Sequence, residues 1–234
     1  MNNLLISRYN FSKLFWSSVF IKSTPTIKDI QKKISVEYIN FEKYRQSANY
    51  NTGSISYSTG IIISLLTYYF QPKIVAEVGT FIGRSTFSLA VGGEQIQNNQ
   101  IEIHTCDLSN EIILNLPCSS PIKQYPKMSS TQMFSELINK KIKPDFYFLD
   151  GRLVTQDLDL LVKMNAENAI IVLDDFEGTE KGVMNALLLT QTFSNNFLLS
   201  YPPQPDFLCE FGLNDYSTIA VLVPMDKIKF VNQI

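Results

Sequence analysis

The chain has 234 residues, of which 45% are hydrophobic and 18% charged, a composition typical of a globular protein with a substantial core. Its formal net charge of −2 argues against a nucleic-acid-binding protein that works by bulk electrostatics. Three scattered cysteines favour neither a disulfide framework nor a zinc site, and they suit a reducing, cytoplasmic setting. No apolar run reaches the ~20 residues that span a bilayer.

Residues 1–52 are interpreted as a helical N-terminal extension, with a break at 23–26 around Pro25. The first 28 residues carry four basic and no acidic side chains, so a targeting peptide or membrane-surface helix is an alternative to an ordinary helix. The low density of basic residues and the lack of a cleavage signal favour the ordinary helix. The loop signal at 51–54 separates this extension from a second unit, residues 53–234.

The rest of the chain alternates between short apolar strands and helical segments. After a helix at 60–70, the pattern predicts strands at 74–78, 101–106, 146–149, 169–173, 197–201 and 218–223, and helices at 85–91, 130–139, 157–164 and 181–192. Gly92 and Gly93 are interpreted as the end of the helix at 85–91. The stretch 111–127, which holds three prolines, receives no element.

Strands that are apolar throughout and separated by helices predict a parallel sheet covered on both faces. No helix separates the last two strands, so an antiparallel pairing is expected there. We therefore predict a doubly wound α/β fold. It has a mostly parallel seven-stranded sheet, an antiparallel strand at one edge, helices on both faces and extra N-terminal helices.

The first strand–helix connection holds Glu77, Gly79 and Gly83. The two glycines permit a tight turn and the close approach of a ligand, and the helix N-terminus offers free N–H groups. A dinucleotide site would need G-x-G-x-x-G, whereas this loop has G-x-x-x-G, and Glu77 would repel a pyrophosphate but attract a cationic group. Asp107, at the end of the next strand, can bind a ribose diol. Alternatively, the glycines only make a turn and Asp107 caps a helix.

The sequence EVGTFIGRST, residues 77–86, resembles motif I of the class I S-adenosylmethionine-dependent methyltransferases. Its form is similar to that of small-molecule O-methyltransferases of the catechol and caffeoyl-CoA type, and the resemblance runs from about Gly53 to Val223. It implies an enzyme that moves a methyl group from S-adenosylmethionine to a hydroxyl of a small molecule. The implied cofactor-binding residues are Glu77, Gly79, Thr80, Phe81, Gly83, Ser85, Asp107, Thr131, Gln132 and Asp150.

The same resemblance assigns parts of the cofactor to these residues. Glu77 and Gly79 would line its methionine part, Ser85 would hold its carboxylate, and Asp107 would bind its ribose hydroxyls. The pair at 131–132, at the head of the next helix, would contact adenine.

Acidic residues follow two neighbouring strands: Asp150 ends one, and Asp174 and Asp175 end the next. The carboxyl ends of parallel strands share one edge of a sheet, so these carboxylates repel one another and need protons, a basic side chain or a cation. Mg²⁺ prefers such oxygen ligands. The alternative is that these residues cap a helix or bind backbone amides. By the resemblance, all three match the metal ligands of the same O-methyltransferases, where the metal would lower the pKa of the acceptor hydroxyl.

The chain departs from that family pattern around the expected metal site. Where the catechol-type enzymes have a catalytic lysine, this sequence has Leu153, preceded by Arg152. The one histidine, His104, lies inside a strand, where a structural role is usual. We therefore take Asp150 and Arg152 as catalytic candidates, name no general base, and keep Lys181 as a weaker candidate.

Two classes of function remain open on the sequence. The first is a methyltransferase whose N-terminal aromatic residues and the loop at 202–205 cover a small-molecule substrate. Its acceptor is open, because the resemblance extends to related methyltransferases with an acidic metal pair that act on sugar hydroxyls in antibiotic modification. The second is a non-catalytic cofactor-binding or scaffold protein of the same fold, which the missing lysine and active-site histidine favour. Exposed apolar N-terminal helices would suit a homodimer. Neither nucleic acid nor a membrane span is expected.

Overall fold

The computed structural model describes residues 8–48, 54–97, 100–109, 116–179, 181–193 and 196–228. The helices are α1 (Arg8–Ser23), α2 (Ile27–Ser47), α3 (Tyr57–Phe70), α4 (Arg84–Glu94), α5 (Ser130–Asn139), α6 (Thr155–Lys163), α7 (Gly182–Thr192) and α8 (Pro205–Cys209). The strands are β1 (Ile74–Val78), β2 (Glu102–Asp107), β3 (Ile122–Pro126), β4 (Phe146–Leu149), β5 (Ile170–Leu173), β6 (Phe197–Ser200) and β7 (Ala220–Pro224).

The seven strands form one sheet in the order β3-β2-β1-β4-β5-β7-β6. The first five of these are parallel to one another, and β7 runs antiparallel to both of its neighbours, β5 and β6. The predicted fold class is confirmed, with the antiparallel strand second from its edge. Strand order reverses between β1 and β4, so the carboxyl ends of these strands mark the switch point at which ligands bind in such sheets.

The sequence predicted six of the seven strands and missed β3, which lies in the stretch 111–127, where no element was predicted. Only Tyr125 of its five residues is buried, because β3 is an edge strand and its apolar pattern is correspondingly weak. The short helix α8 was also missed, since its five residues are too few for a helical periodicity to be recognised. Residues 110–115, just before β3, lie outside the described part of the chain.

The prediction that Gly92 and Gly93 end a helix is wrong, because α4 continues through both to Glu94. Gly92 lies where α4 crosses α3, and a Cβ atom there would stand 2.3 Å from the backbone oxygen of Ser64. A Cβ atom on Gly93 would stand 2.5 Å from Ile101 Cδ1. The two glycines therefore serve close packing of the helix against its neighbours rather than its termination.

The aromatic residues of the N-terminal helices lie mainly in the interior. Phe15, Trp16 and Phe41 belong to the same hydrophobic core that covers one face of the sheet, and Trp16 Nε1 donates to the Tyr201 carbonyl at 2.7 Å. Tyr44, by contrast, is exposed. The proposed boundary at 52/53 and most of its loop signal lie outside the described residues, so the division into two units stays a prediction. No helix in the described part of the chain has both the length and the apolar character needed to cross a membrane.

Replacing Gly92 by alanine tests the close packing of α3 and α4. The added methyl group would meet the Ser64 carbonyl, so we expect the free energy of unfolding to fall by about 1–3 kcal/mol, as for other overpacked sites. The control is Gly178→Ala, because a Cβ atom at Gly178 meets no atom within 4 Å. Urea denaturation of both variants measures the difference. An unchanged or increased stability of Gly92→Ala would contradict the packing role.

Candidate active site

The connection from β1 to α4 is folded tightly by its own backbone. The N–H groups of Gly79 and Thr80 both donate to the Cys106 carbonyl, at 2.9 and 3.2 Å, and Gly83 N–H donates to the Thr80 carbonyl at 2.7 Å. Gly79 has a φ of +103°, and a Cβ atom there would lie 3.2 Å from Asp150 Cβ. Both the conformation and the space at this position therefore require glycine.

Asp107 fastens this loop to the end of β2. Its Oδ2 accepts a hydrogen bond of 2.7 Å from Phe81 N–H, and its Oδ1 accepts one of 2.7 Å from Ser109 N–H. The first bond helps to hold Phe81 at a φ of +45°, which side-chain-bearing residues seldom adopt. Asp107 thus stabilises the conformation of this loop through its hydrogen bonds. Its predicted contact with a ribose remains a prediction.

Glu77 is fully buried behind the loop. Its Oε2 accepts a hydrogen bond from the Thr86 hydroxyl, while Oε1 has no hydrogen-bond partner among the described residues. Burial raises the pKa of Glu77 above its ordinary value, and nearby hydroxyl groups only partly oppose this. Glu77 and Ser85 do not line the cavities described below, whereas Gly79 does.

The three aspartates predicted to form a cluster do come together. Their potential ligand oxygens lie within 4.8 Å of one another. Asp150 N–H donates to the Val78 carbonyl at 2.9 Å, and Asp174 N–H to the Leu149 carbonyl at 3.1 Å, so both continue the sheet ladder that delivers them to one edge. Burial, followed by the charge of neighbouring carboxylates, raises the pKa of Asp150.

The buried Asp174 carboxylate is also held by hydrogen bonds. Its Oδ1 accepts from the Asp175 N–H at 2.8 Å and from the Thr218 hydroxyl at 2.9 Å. Burial raises the pKa of Asp174, and these two hydrogen bonds oppose that rise. Asp174 therefore has a fixed orientation before any ligand arrives.

Lys181 completes the cluster. Its Nζ lies 3.2 Å from Asp150 Oδ1 and 2.7 Å from Asp175 Oδ2, and the lysine side chain is 41% exposed. Burial alone would lower the pKa of Lys181, but the attraction of the two carboxylates outweighs it and raises that pKa above its ordinary value. Lys181, the weaker candidate in the sequence analysis, is thus the basic residue that the fold brings into contact with the acids.

Two cavities of about 650 and 670 Å³ meet at this point. Both are lined by Gly79, Asp107, Ser109, Asp150 and Lys181. The first cavity extends over Asp174 and Asp175 towards hydroxyl-bearing and acidic residues, among them Ser54, Ser56, Thr59, Glu177, Asp215 and Tyr216. The second extends over the heads of α5 and α6 and is more apolar, with Leu108, Met128 and Val154 in its wall.

Some predicted site residues lie apart from the acidic cluster. Thr131 lines the second cavity and donates from its hydroxyl to Asp157 Oδ1 at 2.6 Å. Gln132 is exposed, completes a capping box with Ser129 and lines neither cavity. Arg152 is exposed and lines the second cavity only.

His104 has a structural environment. It is fully buried in the sheet, with Nδ1 3.0 Å from the Tyr125 hydroxyl and Nε2 2.9 Å from Glu102 Oε1. Burial lowers the pKa of His104. This histidine lines neither cavity, which agrees with the interpretation of a strand histidine as structural.

The sequence did not identify the wall of the first cavity contributed by α2. Tyr38 lines that cavity, and the Arg84 guanidinium carbon lies 4.4 Å from the centre of its ring. The buried Arg84 side chain also donates to the Ile55 carbonyl at 2.8 Å and to Glu42 Oε1 at 2.6 Å. Arg84 was read only as part of motif I, and nothing in the local sequence indicates a partner 42 residues away.

Several solved structures resemble this fold. A cofactor-bound protein from MTB is 14% identical with a TM-score of 0.55, over 93% of this chain and 97% of its own. The O-methyltransferase from Bacillus cereus in complex with S-adenosylhomocysteine is 12% identical with a TM-score of 0.53, over 83% and 89%. The O-methyltransferase from Streptomyces achromogenes involved in tomaymycin synthesis is 13% identical with a TM-score of 0.50, over 83% and 89%.

The chain therefore has the fold of the class I S-adenosylmethionine-dependent methyltransferases. Within that class, its structural neighbours include O-methyltransferases, and the resemblance noted in motif I is confirmed at the level of the fold. The sequence matches no protein-family model and no curated protein. At these identities, the similarity establishes the fold and leaves the activity to be argued from the site.

Glu77→Gln tests the buried carboxyl behind the loop. Because the folded pKa is raised, Glu77 is protonated in the folded state at pH values where the unfolded chain is already ionised. Folding then takes up a proton, so the contribution of Glu77 to stability is lost as pH rises above its ordinary pKa of 4.5. Glutamine stays neutral. We expect the variant to match the wild type near pH 4 and to gain about 1.4 kcal/mol per pH unit above the ordinary value, until the folded pKa is passed.

Urea unfolding between about pH 4 and 8 measures this gain. Glu210→Gln is the control, because Glu210 is exposed and follows α8, far from the loop in sequence. Equal stability of Glu77→Gln and the wild type across the whole range would show that the buried carboxyl carries no such penalty.

Proposed function

We propose that this chain is an S-adenosylmethionine-dependent methyltransferase that methylates a hydroxyl of a polar small molecule with the help of a divalent cation. The observation that carries the proposal is the junction of the two cavities at Gly79, Asp107 and Asp150. One cavity suits a nucleoside and the other an acceptor, and a methyl group at the junction would face both.

The cofactor would lie with its adenosine in the second cavity. Leu108, Met128 and Val154 give that cavity an apolar wall suited to an adenine ring, and Asp107 stands between it and the loop. Gly79 leaves room for the sulfonium end at the junction. Glu77 lies behind the wall rather than in it, and a cationic group bound at the junction would favour its ionised form.

The first cavity supports an acceptor that is neutral or cationic. Its described lining holds one basic side chain, Lys181, against six carboxylates, those of Asp107, Asp150, Asp174, Asp175, Glu177 and Asp215. A carboxylated or phosphorylated acceptor would meet strong repulsion there. Hydroxyl groups of Ser54, Ser56 and Thr59 along another wall suit a polar, hydroxylated molecule.

The donor set at Asp150, Asp174 and Asp175 fits a divalent cation such as Mg²⁺, because all three offer carboxylate oxygens that lie within 4.8 Å of one another. Such an ion, when bound, would polarise an acceptor hydroxyl and lower its pKa. The rest of the contribution is positional. Gly79 and Asp150 bring the cofactor and acceptor cavities together, which favours an in-line approach of the hydroxyl oxygen to the methyl carbon.

Arg152 follows Asp150 closely in the sequence and lines the second cavity with it. From there it would orient the cofactor or the substrate.

A non-catalytic cofactor-binding protein is the second candidate function. It is favoured by Lys181, which already provides Asp150 and Asp175 with a counter-ion, and by Leu153 in place of the family's lysine. The cytoplasmic setting, the homodimer and the lack of nucleic-acid binding stay predictions of the sequence.

Titration of the purified protein with S-adenosylhomocysteine, with and without Mg²⁺, tests the proposed cofactor. We expect a dissociation constant in the micromolar range, about −8 kcal/mol of binding free energy. Incorporation of label from methyl-labelled S-adenosylmethionine into hydroxylated amines and neutral catechols then tests transfer. Cofactor binding without transfer would favour the non-catalytic candidate, and no cofactor binding would refute both.

Asp107→Ala should weaken S-adenosylhomocysteine binding at least about tenfold, because it removes both the proposed ribose acceptor and the hydrogen bond that shapes Phe81. Asp159→Ala is the matched control, since Asp159 is exposed on α6. Calorimetric titration of both variants gives the comparison. Equal affinity of Asp107→Ala and the wild type would remove Asp107 from the proposed site.

A further inference from the structure

The backbone of Lys181 is held against both acidic strand ends. Lys181 directly precedes α7. Its neighbour Gly182 is packed so closely that a Cβ atom there would lie 2.4 Å from the backbone oxygen of Asp174, which follows β5. The buried Asn185 donates to the Gly151 carbonyl at 2.8 Å and accepts from Leu153 N–H at 3.0 Å. The first turn of α7 is therefore tied to the segments that follow β4 and β5.

The Lys181 ammonium group uses oxygens that a divalent ion would also need. Its Nζ contacts Asp150 Oδ1 at 3.2 Å and Asp175 Oδ2 at 2.7 Å, and these carboxylates belong to the set whose oxygens lie within 4.8 Å of one another. Mg²⁺ bonds its oxygens at about 2.0–2.1 Å, so an ion shared by the two aspartates would stand in the region that Nζ fills. Two cations that close would repel each other strongly.

Free space lies next to the side chain of Lys181, into which its ammonium group can move. The side chain is 41% exposed and lines both cavities. A flexible four-carbon stem lets the ammonium group turn towards either cavity while the backbone stays in place. Displacement from the aspartates therefore needs no rearrangement of α7.

We propose that Lys181 and a divalent cation are alternative occupants of the acidic cluster, and that the metal binds by displacing the ammonium group. The displaced ammonium then turns into one of the two cavities that Lys181 lines, where it acts as a positioning group for the bound molecule. The inference rests on the proposed function and deepens it. It assigns a role to Lys181, for which the resemblance to known methyltransferases implies none. It also accounts for a cluster of three acids that is neutralised in part without metal.

Calorimetric titration of the protein with Mn²⁺ tests the displacement directly. Lys181→Met removes the competing charge while keeping the length of the side chain, so we expect it to bind Mn²⁺ about tenfold more tightly, or better, than the wild type. Lys181→Arg keeps the charge and should bind Mn²⁺ about as weakly as the wild type. Lys163→Met removes a charge from the exposed end of α6 and should change nothing.

Thermal melting separates this role from a merely structural one. Without metal, Lys181→Met should melt below the wild type, because the aspartates lose their counter-ion. Mn²⁺ should restore the loss and raise the melting temperature of this variant more than that of the wild type. If Lys181 only braced the loop, Mn²⁺ would raise the melting temperatures of the variant and of the wild type by the same amount.

Equal or weaker Mn²⁺ binding by Lys181→Met would overturn the proposal, as would a failure of every variant to bind Mn²⁺. Parallel titration with S-adenosylhomocysteine separates this result from failure of the proposed function. Retained cofactor binding without metal binding removes the exchange alone, whereas loss of both removes the methyltransferase proposal as well.

Discussion

Electrostatic repulsion among acids at the carboxyl ends of parallel strands of one sheet is the constraint on which this site depends. The sheet ladder forces Asp107, Asp150 and Asp174 to one edge, and each is compensated differently. Asp107 accepts two backbone N–H groups, Asp174 accepts a backbone N–H and a hydroxyl, and Asp150 shares the ammonium of Lys181 with its neighbour Asp175. Because each acid is held by a different partner, these side chains keep fixed positions although they lie close together.

The local sequence pattern was sufficient to predict the parts of the site that directly follow a strand. The loop after β1 and the three aspartates were found from the sequence because apolar strands and glycine spacing are local signals. Lys181 carried no comparable signal, since its meaning depends on a turn of α7 fixed by the buried Asn185. The same limit applies to Gly92, which looks like a helix terminator until the neighbouring helix is in place.

Among the strands, β3 was predicted least well, for a physical reason. β3 is an edge strand with only one buried side chain, so its composition resembles a loop. The central strands β1, β4 and β5, almost wholly buried, were located within one residue. Burial on both faces leaves a strong hydrophobic run, and the sequence reports topology most clearly where the sheet is covered.

Arg84 joins two parts of the molecule that the sequence separates widely. It begins α4, directly after the loop that follows β1, and its guanidinium group is bonded to Glu42 and stacked near Tyr38 of α2. Tyr38 in turn lines the first cavity. A shift of the loop would be passed through this side chain to the opposite wall of the first cavity, so a ligand that moved the loop would also change the width of that cavity.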